Sequence, residues 1–251
     1  MANVPKSTST SQPTTDQRID DQSERGDRGS EFLGIRLAAR RRQRRWPQMF
    51  GWLTALVALA ALSYVFVARP WHLRWGATPA EIARSLPGDD VVAKPVLVAN
   101  RAITIAAPVD QVWPWIAQIG QGRGGFYSYD WLENLAGCDI HSADAILPDF
   151  QSPKAGDEVR MYKQGGGPPP FTVDRVEPGH ALVLRGGTIY SWDFFVEPID
   201  SKTTRLQIRS RSYSDPAWVA SLTGVEPISF VMERKMLFGI KQRAEAAVQT
   251  R

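Results

Sequence analysis

The run Met49 to Ala68, MFGWLTALVALAALSYVFVA, holds 20 residues without a charge. At about 1.5 Å rise per residue a helix of that length is roughly 30 Å long, the thickness of a bilayer's hydrocarbon core. Trp46 precedes the run, and Trp71 and Trp75 follow it, as aromatic belts at two membrane interfaces require. Arg36, Arg40, Arg41, Arg42, Arg44 and Arg45 lie just before the span, and only Arg69 and Arg74 lie close after it. Basic flanks stay cytoplasmic, so the sequence predicts a single-pass membrane protein with its N-terminus cytoplasmic and residues 69–251 extracytoplasmic. A buried core helix seldom combines such a run with an arginine cluster. A cleaved signal peptide fits poorly with a 45-residue leader, a long apolar run and Phe66 at the −3 position of a cut after Ala68.

Charge is distributed to match. Residues 1–45 carry ten Lys/Arg and six Asp/Glu, whereas residues 69–251 carry twenty of each sign. The net +4 therefore sits in the tail, and a neutral globular part argues against a nucleic-acid partner. Residues 1–30 are polar and hold almost no large apolar side chain, which predicts disorder. The expected organisation is a disordered basic tail over 1–45, a transmembrane helix over 46–70, a connecting segment over 71–96 and a folded domain over 97–251. The lone cysteine, Cys138, excludes an intramolecular disulfide and any multi-cysteine metal site.

Within the folded part the apolar period assigns the elements. Leu97–Ala106 reads as a strand with Leu97, Ala99, Ile103 and Ile105 on one face. Pro108–Ile119 reads as a short helix interrupted by Pro114, and a turn or two of helix is expected near Trp131–Leu135. Period-two strands follow at Asp157–Tyr162, Phe171–Glu177, Ala181–Arg185, Thr188–Val196 and Thr204–Tyr213, and Gly165–Pro170 is a loop between them. Links this short predict antiparallel neighbours. In the last strand Arg205, Gln207, Arg209 and Arg211 share a face expected to be solvated. Were the register to turn that face inward, an arginine there would be able to hold a carboxylate. Ile228–Thr250 reads as a long helix with Ile228, Val231, Met232, Met236 and Ile240 as its apolar stripe and Glu233, Arg234, Lys235, Lys241 and Arg243 off it. Gly239 inside this helix costs about 1 kcal/mol against alanine and so marks close packing or ligand approach.

Several stretches carry a family resemblance: Arg101–Ala107 (RAITIAA) leading into Val112-Trp113-Pro114-Trp115, then Gly120–Asp130 (GQGRGGFYSYD) with Trp131-Leu132-Glu133-Asn134, then Ile140–Asp144, then Phe230–Leu237. With this element order they resemble the START/Bet-v-1-like (SRPBCC) superfamily, and within it a bacterial polyketide-cyclase-like or lipid-transport-like branch. The resemblance covers roughly Trp75 to Ala247. It implies an α+β helix-grip fold, a curved antiparallel sheet wrapped on a long C-terminal helix, here preceded by one transmembrane helix. It also implies a small hydrophobic ligand held in a cavity between sheet and helix. Tyr190, Trp192 and Phe194 from the sheet and Met232 and Met236 from the helix are then candidate walls, although each is also an ordinary core residue.

Other constellations are local. Gly120–Gly125 follows a helix and lacks a Lys-Ser/Thr, so it reads as a tight turn rather than a phosphate loop, with Arg123 free to meet an anion. Tyr127, Tyr129 and Trp131 project to one side if their stretch is extended. Asp139, His141 and Asp144 are the polar cluster with catalytic potential, with Cys138 close in sequence and Tyr129 as a further hydroxyl. One histidine and two nearby acids are too few for a metal site, and no cofactor fingerprint is present. Three readings stay open: a membrane-anchored binding or carrier domain using Tyr127, Tyr129, Trp131 and His141 beside the walls above, a cyclase/aromatase-like enzyme using the His141 cluster, and an interaction module with a vestigial cavity. The residues alone do not decide whether a reaction is catalysed.

Overall fold

The structure, a computed structural model, describes residues 49–213 and 224–249. The expected tail, its arginine cluster and Trp46 lie outside the described residues. The chain divides into two compact units, Met1–Tyr64 and Val65–Arg251. Among the described residues one helix, α1 (Met49–Leu73), is long and apolar enough to cross a membrane. Its large apolar side chains from Met49 to Leu62 are all exposed, which is the surface of a helix suited to apolar surroundings. The helix widens into π turns over Tyr64–Ala68, just ahead of Pro70, which has no N–H for the helical ladder.

The second unit is α+β. After α2 (Pro79–Ala83) come β1 (Leu97–Ile105), α3 (Val109–Ala117), α4 (Asp130–Leu135), β2 (Glu158–Val159), β3 (Phe171–Glu177), β4 (Ala181–Gly186), β5 (Tyr190–Pro198), β6 (Thr204–Ser212) and α5 (Glu226–Gln249). The six strands form one antiparallel sheet in the order β1-β6-β5-β4-β3-β2. Short links make β3 to β6 a run of neighbours, β2 joins β3 across the longer loop 160–170, and β1 closes on β6 from the far side. A register shift between Val173 and Arg175 adds local twist to the β3–β4 pair. The long helix α5 lies in the concavity, so the architecture is the helix grip.

Strand parity decides the core. Ile103, Ile105, Leu182, Leu184, Trp192, Phe194, Val196, Leu206 and Ile208 face inward. Val112 and Ile116 of α3 and Met236, Leu237, Ile240 and Ala244 of α5 meet them. α5 comes so close to Tyr127 that a Cβ at Gly239 would sit 2.2 Å from the Tyr127 carbonyl oxygen. The glycine is a packing requirement.

The outer face corrects one expectation. Arg209 is only 2% exposed, and Gln207 is fully buried. The segment from α2 to Val92 covers them. Arg209 donates to the carbonyls of Glu81 (2.8 Å) and Arg84 (3.0 Å) and to the Asp89 carboxylate (2.8 Å). Arg211 reaches the same carboxylate at 3.0 Å. Thr78 and Glu81 close a capping box on α2, and Glu81 also takes two hydrogen bonds from Arg205, at 2.7 and 2.9 Å. Leu86 packs on Ala181 and Phe195. The arginines turn out to be anchors for a strap, since the carbonyls and carboxylate they need come from the chain just before β1.

Asp193 lies beneath this strap, fully buried, and accepts a hydrogen bond from the Ser191 hydroxyl at 2.9 Å. Burial, reinforced by the Asp89 charge, pushes its carboxyl up to about 8. The folded state then keeps this proton to about pH 8, whereas an unfolded chain releases it near pH 4. The native state binds the extra proton across that window, so stability falls as pH rises through it. Thermal unfolding of Asp193→Asn should lose most of the slope that the parent shows between pH 7 and 8, above the range in which Glu133, pushed up to about 7, contributes a slope of the same sign. Gly239→Ala should lower stability by about 1–3 kcal/mol through overpacking, against the gain that helix propensity alone assigns to alanine.

Candidate functional site

The sheet and α5 part at one end of the grip, where a cleft of about 310 Å³ opens. β1 supplies Leu97, Ala99 and Arg101, β5 begins at Tyr190, and β6 ends through Ser210 and Ser212. Val225, Glu226, Ser229 and Glu233 approach from the start of α5, and Leu73 and Ile189 complete the walls. The mouth is mostly apolar and the floor is polar.

Arg101 and Glu233 make that floor. Both are nearly fully buried. The Arg101 guanidinium donates to the Glu233 carboxylate and, through Nε, to the His72 carbonyl at 3.1 Å. It also lies over the Phe230 ring, 5.6 Å from its centroid. The Ser210 hydroxyl donates to the other Glu233 oxygen at 3.2 Å. Tyr190 stands beside Ser210, and burial, with Glu233 adding to it, pushes the phenol's pKa up, so it remains a neutral hydrogen-bonding group. A second pair, Arg69 and Glu226, joins the end of α1 to the start of α5 at 2.8 Å. The positive charges of the cleft are thus matched by carboxylates.

This arrangement corrects the expected helix stripe. Glu233 belongs to the inward face, with Met236, Leu237, Ile240 and Ala244. Ile228 and Val231, expected inside, are exposed. The helix carries apolar residues on two sides, and only contact with the sheet selects one of them.

Of the residues singled out from the sequence, Tyr190 lines the cleft. Trp192, Phe194 and Met236 are buried in the packed core. Met232 is half-buried, and its carbonyl accepts from the Ser128 hydroxyl at 3.0 Å. Tyr127, Tyr129 and Trp131 do not form an extended row: Tyr127 adopts φ 56° and α4 begins at Asp130. Tyr127 is buried, donates to the Trp115 carbonyl at 3.1 Å and lies under the Arg243 guanidinium. Tyr129 meets Lys235, and Trp131 is 68% exposed. These three border a shallow groove with Ser142 and Asp144 beside the other half of α5.

The His141 cluster lies on the surface. His141 is exposed, its Nε2 3.2 Å from Asp139. Asp144 is held by Arg243 at 2.6 Å. Cys138 is buried against the Tyr162 phenol. His141, Asp139 and Asp144 lie outside the cleft's lining, and Asp144 borders the shallow groove beside α5. Gly120 and Gly125 exchange two backbone hydrogen bonds of 3.0 Å, closing the tight turn, and Arg123 donates to the Ala117 carbonyl and caps the Phe150 ring. Among the described residues no group of three or more His, Cys, Asp or Glu is placed to hold a metal ion.

Arg101, Ser210 and Glu233 are the residues that reading the sequence passed over. Arg101 shares parity with Ala99 and Ile103, and Ser210 with Leu206 and Ile208. A charge on an otherwise inward-facing row was the available signal.

No protein-family model matches the chain, and no curated protein does. Solved structures do. The chain is similar to the Aha1 dimer from Colwellia psychrerythraea, with 14% identity over 60% of this chain and 97% of that one, at a TM-score of 0.39. A polyketide-cyclase-like protein from Corynebacterium glutamicum gives 16% identity over 61% and 94%, at 0.35. The di-domain ARO/CYC protein BexL of the BE-7585A biosynthetic pathway gives 17% identity over 60% and 47%, at 0.35.

Removing one partner of a buried ion pair leaves the other unneutralised. Glu233→Ala should therefore destabilise by about 3–5 kcal/mol, whereas Arg101→Met combined with Glu233→Leu should recover most of that loss. Chemical denaturation of the two variants beside the parent measures the difference.

Proposed function

We propose that this chain is a membrane-anchored binding domain for a small, neutral, amphipathic molecule. The observation that carries the reading is the cleft: apolar walls from Leu97, Ala99 and Ile189 around a floor of Arg101, Ser210, Tyr190 and Glu233. A volume of about 310 Å³ suits a compact ring system or a short chain. The hydroxyls of Ser210 and Tyr190 offer partners to an alcohol or carbonyl at the ligand's polar end. Neutrality follows from charge matching. Arg101 and Arg69 are already paired with Glu233 and Glu226, so an anionic headgroup would displace a carboxylate and leave it buried without a cation.

The anchor in this reading is the uncharged run within α1, which supports a bilayer contact by length and composition. The proposed organisation is a basic tail over 1–45, a span over 46–70, a connection over 71–96 and the helix-grip domain over 97–251. The basic flank supports a cytoplasmic tail with the binding domain on the other side. The enzymatic reading through His141 loses support, because that residue is exposed and outside the cleft's lining.

Native mass spectrometry tests the reading. The full chain, released gently from detergent micelles, should carry a small-molecule adduct. Ala99→Phe, which fills the cleft, should lose it, and Ile199→Phe, on the β5–β6 turn, should keep it. Bare protein in all three samples, or an adduct retained by Ala99→Phe, overturns the proposal.

A further inference from the structure

The exposed half of α5 raises a question that the cleft alone does not answer. Val225, Ile228 and Val231 follow one another at three-residue spacing and are 62%, 61% and 46% exposed. Residues three apart share a helix face. Eleven residues, about three turns, bring that same face from Ile228 to Gly239, where Tyr127 covers it tightly. Among the described residues this side of α5 is covered at one end and is bare and apolar at the other, beside the cleft. Ile189 and Tyr213, both exposed, continue the apolar rim and line the cleft with Val225.

The tether limits what this face can meet. Leu73, in the cleft wall, is five residues beyond Ala68, where the uncharged run ends. Those residues span about 8 Å as helix and at most about 18 Å fully extended. Trp71, an exposed aromatic in this short stretch, meets the ring of Phe230 edge-on at 5.2 Å, in the first turns of α5 but on a side of the helix turned away from Ile228. An interfacial tryptophan, a cleft mouth and a bare apolar helix face therefore fall within one short tether of the hydrocarbon boundary.

We propose that Val225, Ile228 and Val231, with Ile189 and Tyr213, seat on the lipid surface, so that the cleft opens into the bilayer interface and exchanges its ligand with lipid rather than with water. This rests on the membrane-anchored reading above and adds the surface through which the site is reached.

The test uses the full chain in phosphatidylcholine/phosphatidylglycerol vesicles. A fluorophore is placed at Ile228→Cys in a Cys138→Ala background, with Val231→Cys as a second position. Ile199→Cys serves as the reference. Ile199 follows β5 at the end away from Tyr190, about 30 Å along the strand. Lipid-borne doxyl groups should quench positions 228 and 231 several-fold more than 199, and aqueous iodide should show the reverse order. Equal iodide quenching at 228 and 199 overturns the seating. Shielding at 228 from both quenchers that fades as protein is diluted in lipid also overturns it, in favour of a contact between copies. Alkaline carbonate extraction of the same vesicles separates the two readings: chain released to the supernatant ends the anchored reading, whereas retained chain with a water-exposed position 228 ends only the seating.

Discussion

The buried pair of Arg101 and Glu233 ties the first strand to the last helix at the point where sheet and helix diverge. Two charges removed from water are stable only when each finds a partner, and here the His72 carbonyl and Ser210 hydroxyl supply the remaining bonds. Beyond it along α5, Met236, Leu237 and Ile240 pack against the sheet in the buried core. At the pair itself apolar closure would strip the charges of those partners, so the grip stays open there. The cleft and the ion pair are two aspects of one constraint.

The same logic operates on the outer side of the sheet. Antiparallel sheets commonly leave one face to water. In this chain α5 covers the inner face, and the strap from α2 to Val92 covers the outer face of β5 and β6. The strap holds through arginine bonds to backbone carbonyls and to Asp89, with only a small apolar contact at Leu86. Asp193 is enclosed as a consequence and keeps its proton far above the usual carboxylate range. A segment that could pass for a linker is part of the folded unit's stability.

Charge balance and apolar exposure together define the proposed role. The cleft pairs its cations internally, which favours a neutral guest, and its rim at Ile189, Tyr213 and Val225 is apolar and exposed. In the proposed role the uncharged run, which ends five residues before the cleft wall, would bring lipid within reach of such a rim.

The strands from Leu97 to Ser212, the short helix α3 and the long helix α5 were legible in the chain because period-two and period-3.6 patterns are local properties. So were the span-length run before them and the turn chemistry that makes neighbouring strands antiparallel. Strand parity also put Tyr190, Trp192 and Phe194 on one face of their strand and Leu206 and Ile208 on one face of theirs. The sequence could not say which apolar side of α5 would meet the sheet, because Ile228 and Val231 compete with Met236 and Leu237 on the same helix. That choice brought Glu233 inward to Arg101, a partner 132 residues away. Arg209 likewise read as solvated until the strap arrived over it, and Tyr127 as part of an extended row until its left-handed turn and the close approach of Gly239 buried it. Periodicity is written into neighbouring residues. Pairing between distant charges, and the room left where they meet, exists only once the chain has closed on itself.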